Sequence, residues 1–411
     1  LRILVLSINY WPDQTGIAAF NIRRCEFLAS RGHDVTICTG PPYYPQWQVP
    51  AAYRGKLIQR EQRNGVTILR SWMYVPPVLT TKRRVLHEAT FAAGCLLRAF
   101  GSGKPDVIFA VTPPLGLGVV ASRLARWWRV PFIFDVEDLQ PDAAIELGMM
   151  QKGRISDVLY AVEWDSYRRA ALISTLTEGM RQRIADKGID AGKIVLFPPR
   201  ADASLYGLRQ RVSPDRFRQR YGLEGKLIIS HSGNMGVKQG LGVVLEAAEH
   251  SRERRDLCYL FVGDGAMRTQ LEEQARLRGL ENVRFLPLLN DDEFAEMLAA
   301  TDVALVTQQK IVSDIVFPSK TVTLLSAGCP VIASVNAASE VASAVRRSSA
   351  GVVIEPERSD LLWQAIEEMV ANPERLAAMS LEAEKFARQS WDESITLPRM
   401  EEHFLSVRGR S

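Results

Sequence analysis

The feature that most constrains this chain is a rhythm that runs twice. Short, continuously apolar runs alternate with amphipathic helical patterns, pause once, and then start again. The first round opens with "RILVLSI", passes through a loop into "IAAFNIRRCEFLASRG", and returns to "DVTICTG". Further strand-like runs follow at "DVIFAVT", "FIFDV", "LISTLT" and "IVLFPP". Runs that are apolar on both faces of a strand belong to parallel sheets covered by helices on both sides. The second round begins with "KLIISHSG" and the helical "GLGVVLEAAEHS", then continues through "CYLFVGDG", "NVRFLPL", "DVALVTQ", "CPVIASV" and "GVVIEP". Between the rounds, "PPRADASLYGLRQRVSPD" has no period, and Pro198 and Pro199 open it as a linker.

The expectation is an α/β chain of two doubly wound, Rossmann-like domains facing a cleft. Residues 1–198 form the first and 199–394 the second, and a helix at about 395–411 is able to pack back on the first. A length of 411 residues exceeds one ordinary core, which agrees with two domains. A formal charge of +4 is mild for that length and does not describe a nucleic-acid binder. The five cysteines, at 25, 38, 95, 258 and 329, make no C-x-x-C pair and no cluster with metal spacing. They read as buried, reduced thiols of a cytoplasmic protein. The opening apolar run reads as a first strand rather than a signal peptide, and no uncharged run reaches the length of a membrane span.

Doubly wound sheets bind ligands at the carboxyl ends of their strands. Two such loops of the second domain look suited to phosphate. "HSGNMGVKQG" carries Gly233, Gly236 and Gly240 between a strand and a helix, with Lys238 as a cation. A plain flexible turn with a solvated lysine is the other reading. In "FPSKTVTLLSAGCP", Pro318 suits the first turn of a helix, and Ser319 can cap it. Lys320 is an odd choice there, because cations disfavour that end of the helix dipole, and an anion would resolve the conflict. The other reading is an ordinary proline-initiated helix.

In the first domain, "SINYWPDQTGIAAFN" offers only Gly16, so the G-x-G-x-x-G dinucleotide pattern is absent. "FDVEDLQPDAAIELG" crowds Asp135, Glu137, Asp138 and Asp142 at a strand end. A metal site, a helix cap with solvated acids, and acceptor binding or general-base work by Glu137 and Asp138 are the competing readings of that stretch.

Taken together, "NYWPDQTGI", "PPYYPQW", "SGNMGVKQGL", "FVGDG" and "PSK…AGCPVIAS" resemble the GT-B glycosyltransferases of family 4, in the exopolysaccharide branch related to colanic-acid synthesis. The resemblance covers nearly the whole chain. It implies a cytoplasmic, retaining transferase that needs no metal or other cofactor. The donor would be a nucleotide-diphosphate sugar, a UDP-sugar foremost. The acceptor would be a polyprenyl-diphosphate-linked saccharide at the inner face of the cell membrane. It further implies that Lys238 contacts the donor diphosphate and that Gly233, Asn234 and Gly236 lie against the donor. Pro318, Ser319, Lys320 and Thr321 would hold its phosphate and ribose side. The strand end with Arg284 and Leu286 would border the base, and "TQQKIVSD" would close over the sugar. Gly16 would approach the donor phosphate and the acceptor.

The chain also departs from the family pattern. A glutamate common in the "PSK" helix reads Thr323, and an arginine common near the glycine-loop lysine is absent, where Asn234 stands. A nucleotide-sugar epimerase of the same fold and a catalytically inactive partner in glycan assembly are the alternative functions.

One segment suggests an anionic membrane surface as a further partner. "WMYVPPVLTTKRRVLHEATFAAGCLLRAF", residues 72–100, joins Trp72, Tyr74 and Val78 to Lys82, Arg83 and Arg84, followed by helically spaced apolar residues. It is too mixed to span a bilayer but suits lying at an interface.

Overall fold

The computed structural model describes residues 1–13, 16–78, 80–146, 150–311 and 319–408. The chain divides into two compact units, Leu1–Pro198 with the C-terminal segment from Thr396, and Pro199–Ile395.

Unit 1 holds β1 (Arg2–Leu6), β2 (Asp34–Thr39), β3 (Ile58–Arg63), β4 (Val66–Ser71), β5 (Val107–Thr112), β6 (Phe132–Val136), β7 (Leu172–Thr175) and β8 (Ile194–Leu196). They form one eight-stranded sheet in the order β3-β4-β2-β1-β5-β6-β7-β8. All neighbours are parallel except β3, which pairs antiparallel with β4 around the turn Asn64–Gly65. β3, "IQREQR", is absent from the strands expected above. It is an edge strand with a polar sequence and no buried residue, so the apolar-run signal has nothing to detect there. Every residue of β5 and β6 is buried, as central parallel strands require.

Helix α1 (Ile17–Ser30) follows β1, and helix α2 (Thr81–Phe100) follows β4. The helix Glu393–Val407 delivers Met400, Phe404 and Val407 into the unit 1 core beside Ile3, Val5 and Phe109. The Phe404 ring lies 5.1 Å from that of Phe109. On the same helix Glu401 receives hydrogen bonds from Arg31 Nε at 2.9 Å and His33 Nε2 at 3.1 Å. Removing an aromatic side chain from such a place costs about 3–5 kcal/mol.

Unit 2 holds β9 (Leu227–Ser232), β10 (Leu257–Val262), β11 (Val283–Leu286), β12 (Val303–Thr307), β13 (Val331–Ser334) and β14 (Gly351–Ile354). All are parallel, in the order β11-β10-β9-β12-β13-β14. Successive side chains of a strand point to opposite faces, so each strand feeds two cores. In β10, Cys258, Leu260 and Val262 enter one core, and Leu257, Tyr259 and Phe261 enter the other. The five cysteines are buried and unpaired. Among the described residues no helix is long and apolar enough to cross a membrane.

Candidate functional site

In each unit the strand order reverses beside the first strand, between β1 and β5 in unit 1 and between β9 and β12 in unit 2. Reversal sends the flanking loops apart and leaves a crevice at the carboxyl ends.

In unit 2 the loop after β9 is locked by backbone bonds to the loop after β10. Gly233 N donates to Val262 O at 2.8 Å, Met235 N to Asp264 O at 2.8 Å, and Met267 N to Met235 O at 2.9 Å. This close approach explains the glycines of "FVGDG". A Cβ on Gly263 would stand 2.1 Å from Gly233 O, and its φ of +133° is itself closed to side chains. Thr307 Oγ1 donates to Gln239 O at 2.7 Å and Gln309 N to Lys238 O at 2.8 Å, which pins the far side of the loop to the end of β12. The amide of Gly236 is already engaged by Gln239 Oε1 at 3.1 Å. Asn234 and Lys238 are exposed, and Lys238 makes no ion pair among the described residues.

The helix Ser319–Ser326 brings Lys320 to the same loop. Its Nζ lies 3.3 Å from His231 Nε2 and 3.4 Å from His231 Nδ1, at the end of β9. Its Cε is 3.4 Å from where a Cβ on Gly233 would stand. Burial pulls the Lys320 ammonium down to about 7. Burial, then the charge of Lys320, holds the His231 imidazole well below its ordinary value, so that ring is neutral. No carboxylate among the described residues pairs with Lys320. The result is a half-buried ammonium over a glycine loop, lacking a described counter-ion and suited to an anion.

The remaining candidates of unit 2 are spread more widely. Ser319 is exposed at the helix start, whereas Thr321 is fully buried with an Oγ1 that lacks a partner. Arg284 is exposed on the edge strand β11. The carbonyl of Leu286 accepts from Gly263 N at 3.2 Å and from Arg268 Nη1 at 3.0 Å. Arg268 also donates to Gly263 O at 2.5 Å, so it ties two strand ends together. Nothing in its sequence context singles it out. Pro318 and the end of "TQQKIVSD" lie outside the described residues.

In unit 1 the loop after β1 is stapled by Arg70 of β4, a nearly fully buried guanidinium. Arg70 donates to Trp11 O at 2.5 Å and Gly40 O at 2.9 Å, and it forks onto Glu61 at 2.8 and 3.0 Å. Gly16 begins α1 with φ +58° and no side-chain cap. Beside it a cavity of about 260 Å³ opens at the switch point, lined by Asn9, Gly16, Tyr43, Tyr44, Trp47, Arg84, His87 and Glu88 and floored by Pro113 and Pro114. The aromatic residues come from "PPYYPQW". That stretch is one of the motifs that carry the family resemblance, whereas His87 has no motif around it.

The acids of "FDVEDLQPD" separate into different roles. Arg24 of α1 donates to Asp135 at 2.7 Å and to Glu137 at 2.8 Å, all three being buried, and Ser174 Oγ donates to Asp135 at 2.6 Å. Burial pushes the Glu137 carboxyl up to about 8, partly offset by Arg24. Glu137, expected on the acceptor side, is thus turned inward as part of a packed ionic group. Asp142 is held by Lys187 at 2.5 Å and by the Tyr160 hydroxyl at 3.1 Å. These engaged carboxylates do not fit a metal. No metal-binding cluster occurs among the described residues. Asp138 differs: it is half-buried and makes no hydrogen bond or ion pair among the described residues. Burial raises its carboxyl and the charge of Arg84, a residue of the cavity wall, opposes that rise.

Two parallel α/β units, each with a crevice at its strand reversal, describe a GT-B architecture. The family models agree: a glycosyl transferase 4-like domain matches residues 15–200, and glycosyl transferases group 1 matches residues 214–386. The chain is 32% identical over 402 residues to the putative colanic acid biosynthesis glycosyl transferase WcaI of Escherichia coli, covering 95% of this chain and 98% of that one. The chain belongs to the family 4 glycosyltransferases. Its fold is similar to that of HepE of Anabaena, solved in complex with UDP, with a TM-score of 0.71, 19% identity and coverage of 99% and 100% of the two chains. Sucrose-phosphate synthase of Thermosynechococcus elongatus gives a TM-score of 0.71 at 14% identity, with both chains fully covered.

Proposed function

We propose that this glycosyltransferase moves a sugar, with retention at the anomeric carbon, from a nucleotide-diphosphate sugar to a lipid-linked saccharide in cell-surface glycan synthesis. The observation that carries the donor half is the half-buried Lys320 beside Gly233, a cation with no described counter-ion at the switch point of unit 2. A diphosphate supplies the missing charge, and the same ammonium stabilises it as it leaves. Lys238 and the exposed Asn234 complete the anion-facing loop. The bound UDP of HepE makes a UDP-sugar the first donor to test. Neither lysine needs a metal ion to neutralise the phosphates, so the reading includes no cofactor.

The acceptor half rests on α2. Its inner face buries His87, Phe91, Cys95 and Ala99. Its outer face is also apolar: Val85, Leu86, Leu97 and Phe100 are exposed, with Trp72 and Val78 before it and Lys82 and Arg83 in its first turn. A basic helix start beside an uncovered apolar stripe suits an anionic lipid surface. An acceptor anchored by a polyprenyl diphosphate presents its saccharide at such a surface. Calorimetry with a panel of nucleoside diphosphates, followed by NMR of the glycoside made from the preferred UDP-sugar, tests the reading. Absence of nucleoside diphosphate binding sinks it, and an inverted anomeric centre removes the claim of retention.

A further inference from the structure

His231, next to last in β9, is 1% exposed, and its ring stands 6.2 Å from that of Phe261 on β10. A ring N–H donates to the Asn234 carbonyl in the glycine loop. The Lys320 ammonium lies 3.3 Å from Nε2 and 3.4 Å from Nδ1. A hydrogen bond along one lone pair would leave the other nitrogen much farther away. A point in the ring plane at these two distances would collide with ring carbons, so Nζ lies over the face of the ring. A neutral aromatic face attracts a cation. Protonating His231 would set two cations in contact, which keeps the ring neutral. Other charged groups on the surrounding elements are engaged elsewhere: Asp264 accepts from Gly265 N, Asp202 from Ser204 N and Glu384 from Arg388 Nε, while Lys238 is exposed. Among the described residues, His231 is the titratable group that touches Lys320.

We infer that His231 is a positioning residue: its imidazole, tied to the Asn234 carbonyl, holds the Lys320 ammonium over Gly233 and keeps water from it. It acts through Lys320 rather than on the donor itself. The chemistry of the alternatives explains the side chain. A carboxylate in this place would neutralise the ammonium and compete with an incoming anion. A small side chain would admit water and free a lysine whose rotamers must then be ordered on binding. A neutral ring contacts the ammonium without cancelling its charge. The inference rests on the reading of Lys320 as a ligand of the donor diphosphate, and it names the residue that prepares that lysine.

The test reads Lys320 directly and the donor separately. The full chain is labelled with lysine carrying 13C at Cε, and Lys320→Met assigns the Lys320 signal in an NMR titration. In the wild type that signal titrates near pH 7, the low value that burial imposes. His231→Asn keeps a donor for the Asn234 carbonyl but deletes the ring face and admits water, so the titration moves up by about one pH unit or more. His231→Phe keeps a face and the burial, and its titration stays near the wild-type value. Calorimetry with UDP follows the same order. At pH 6 His231→Asn binds UDP about three- to tenfold more weakly, the effect of ordering a freed side chain. Between pH 6 and pH 8 its affinity changes less than that of the wild type. A lysine titration unchanged in His231→Asn, or raised equally in His231→Phe, overturns the inference. A lower thermal midpoint with the titration in place gives His231 a structural role only and overturns it as well. A wild type that binds no UDP removes the donor reading, and the lysine titration still decides whether His231 positions Lys320.

Discussion

The ammonium of Lys320 lies 3.3 Å from Nε2 of His231, although 89 residues separate the two in the chain. A lysine placed against a neutral imidazole and a glycine loop, with no described carboxylate near, has lost hydration without gaining an ionic partner. Burial accordingly pulls it down to about 7. A bound diphosphate reverses that balance by favouring the charged form.

UDP binding therefore takes up a proton at Lys320. Below pH 7 the lysine is already charged in the free protein and affinity is highest. Above pH 7 the free protein is deprotonated, and affinity falls by up to about tenfold per pH unit until the pKa of the complex is reached. Calorimetry at pH 8 in buffers of different ionisation enthalpy reads the uptake directly. Lys320→Met abolishes it, and a wild type that binds UDP without proton uptake contradicts the assignment.

Lys238→Ala weakens UDP binding without changing the thermal midpoint, because the side chain is exposed and unpaired among the described residues. Loss of one charge-assisted hydrogen bond is worth about 1.5–3 kcal/mol, roughly 10- to 150-fold in affinity. An unchanged affinity removes Lys238 from the site.

Gly263→Ala damages both stability and UDP binding. The added Cβ meets Gly233 O at 2.1 Å in a backbone region closed to side chains. Strain and overpacking of about 1–3 kcal/mol each give a combined loss of about 2–6 kcal/mol. Chemical denaturation measures it, and a loss under about 1 kcal/mol shows that the two loops separate easily.

Glu137→Ala and Asp138→Ala part company. Removing Glu137 leaves Arg24 paired with Asp135 but deprives the buried guanidinium of one acceptor, which costs about 1–3 kcal/mol of stability. Removing Asp138, whose carboxylate has no described partner, leaves the midpoint near wild type and lowers turnover with the preferred UDP-sugar. Normal turnover in Asp138→Ala would end its candidacy as a catalytic group.

Wild-type protein sediments with anionic vesicles at low salt, and a variant carrying Lys82→Ser, Arg83→Ser, Leu86→Ser and Leu97→Ser stays in solution. All four side chains are exposed, so the fold tolerates the change. Two basic residues near the surface add about 1 kcal/mol each, which makes the docking weak and salt-sensitive. Equal sedimentation of both proteins would move the membrane contact elsewhere.

Local pattern determined the class of this protein. Apolar runs such as "DVIFAVT" and "CYLFVGDG" name parallel strands because both faces of those strands are buried, and the glycines after β9 and β10 stand where two loops touch. Those motifs also carried the family. β3 escaped because an edge strand needs no apolar pattern. Tertiary structure alone decided what each charged side chain meets. Arg24 reaches across 111 and 113 positions to Asp135 and Glu137, which turns one acid of "DVED" inward while Asp138 keeps its carboxylate unengaged. His87 has one ring nitrogen engaged by Tyr74 O and the other unmatched, a state that no neighbouring residue in the sequence signals. Hydrophobic periodicity is written in neighbouring residues, but desolvation and charge pairing depend on partners that only folding brings together.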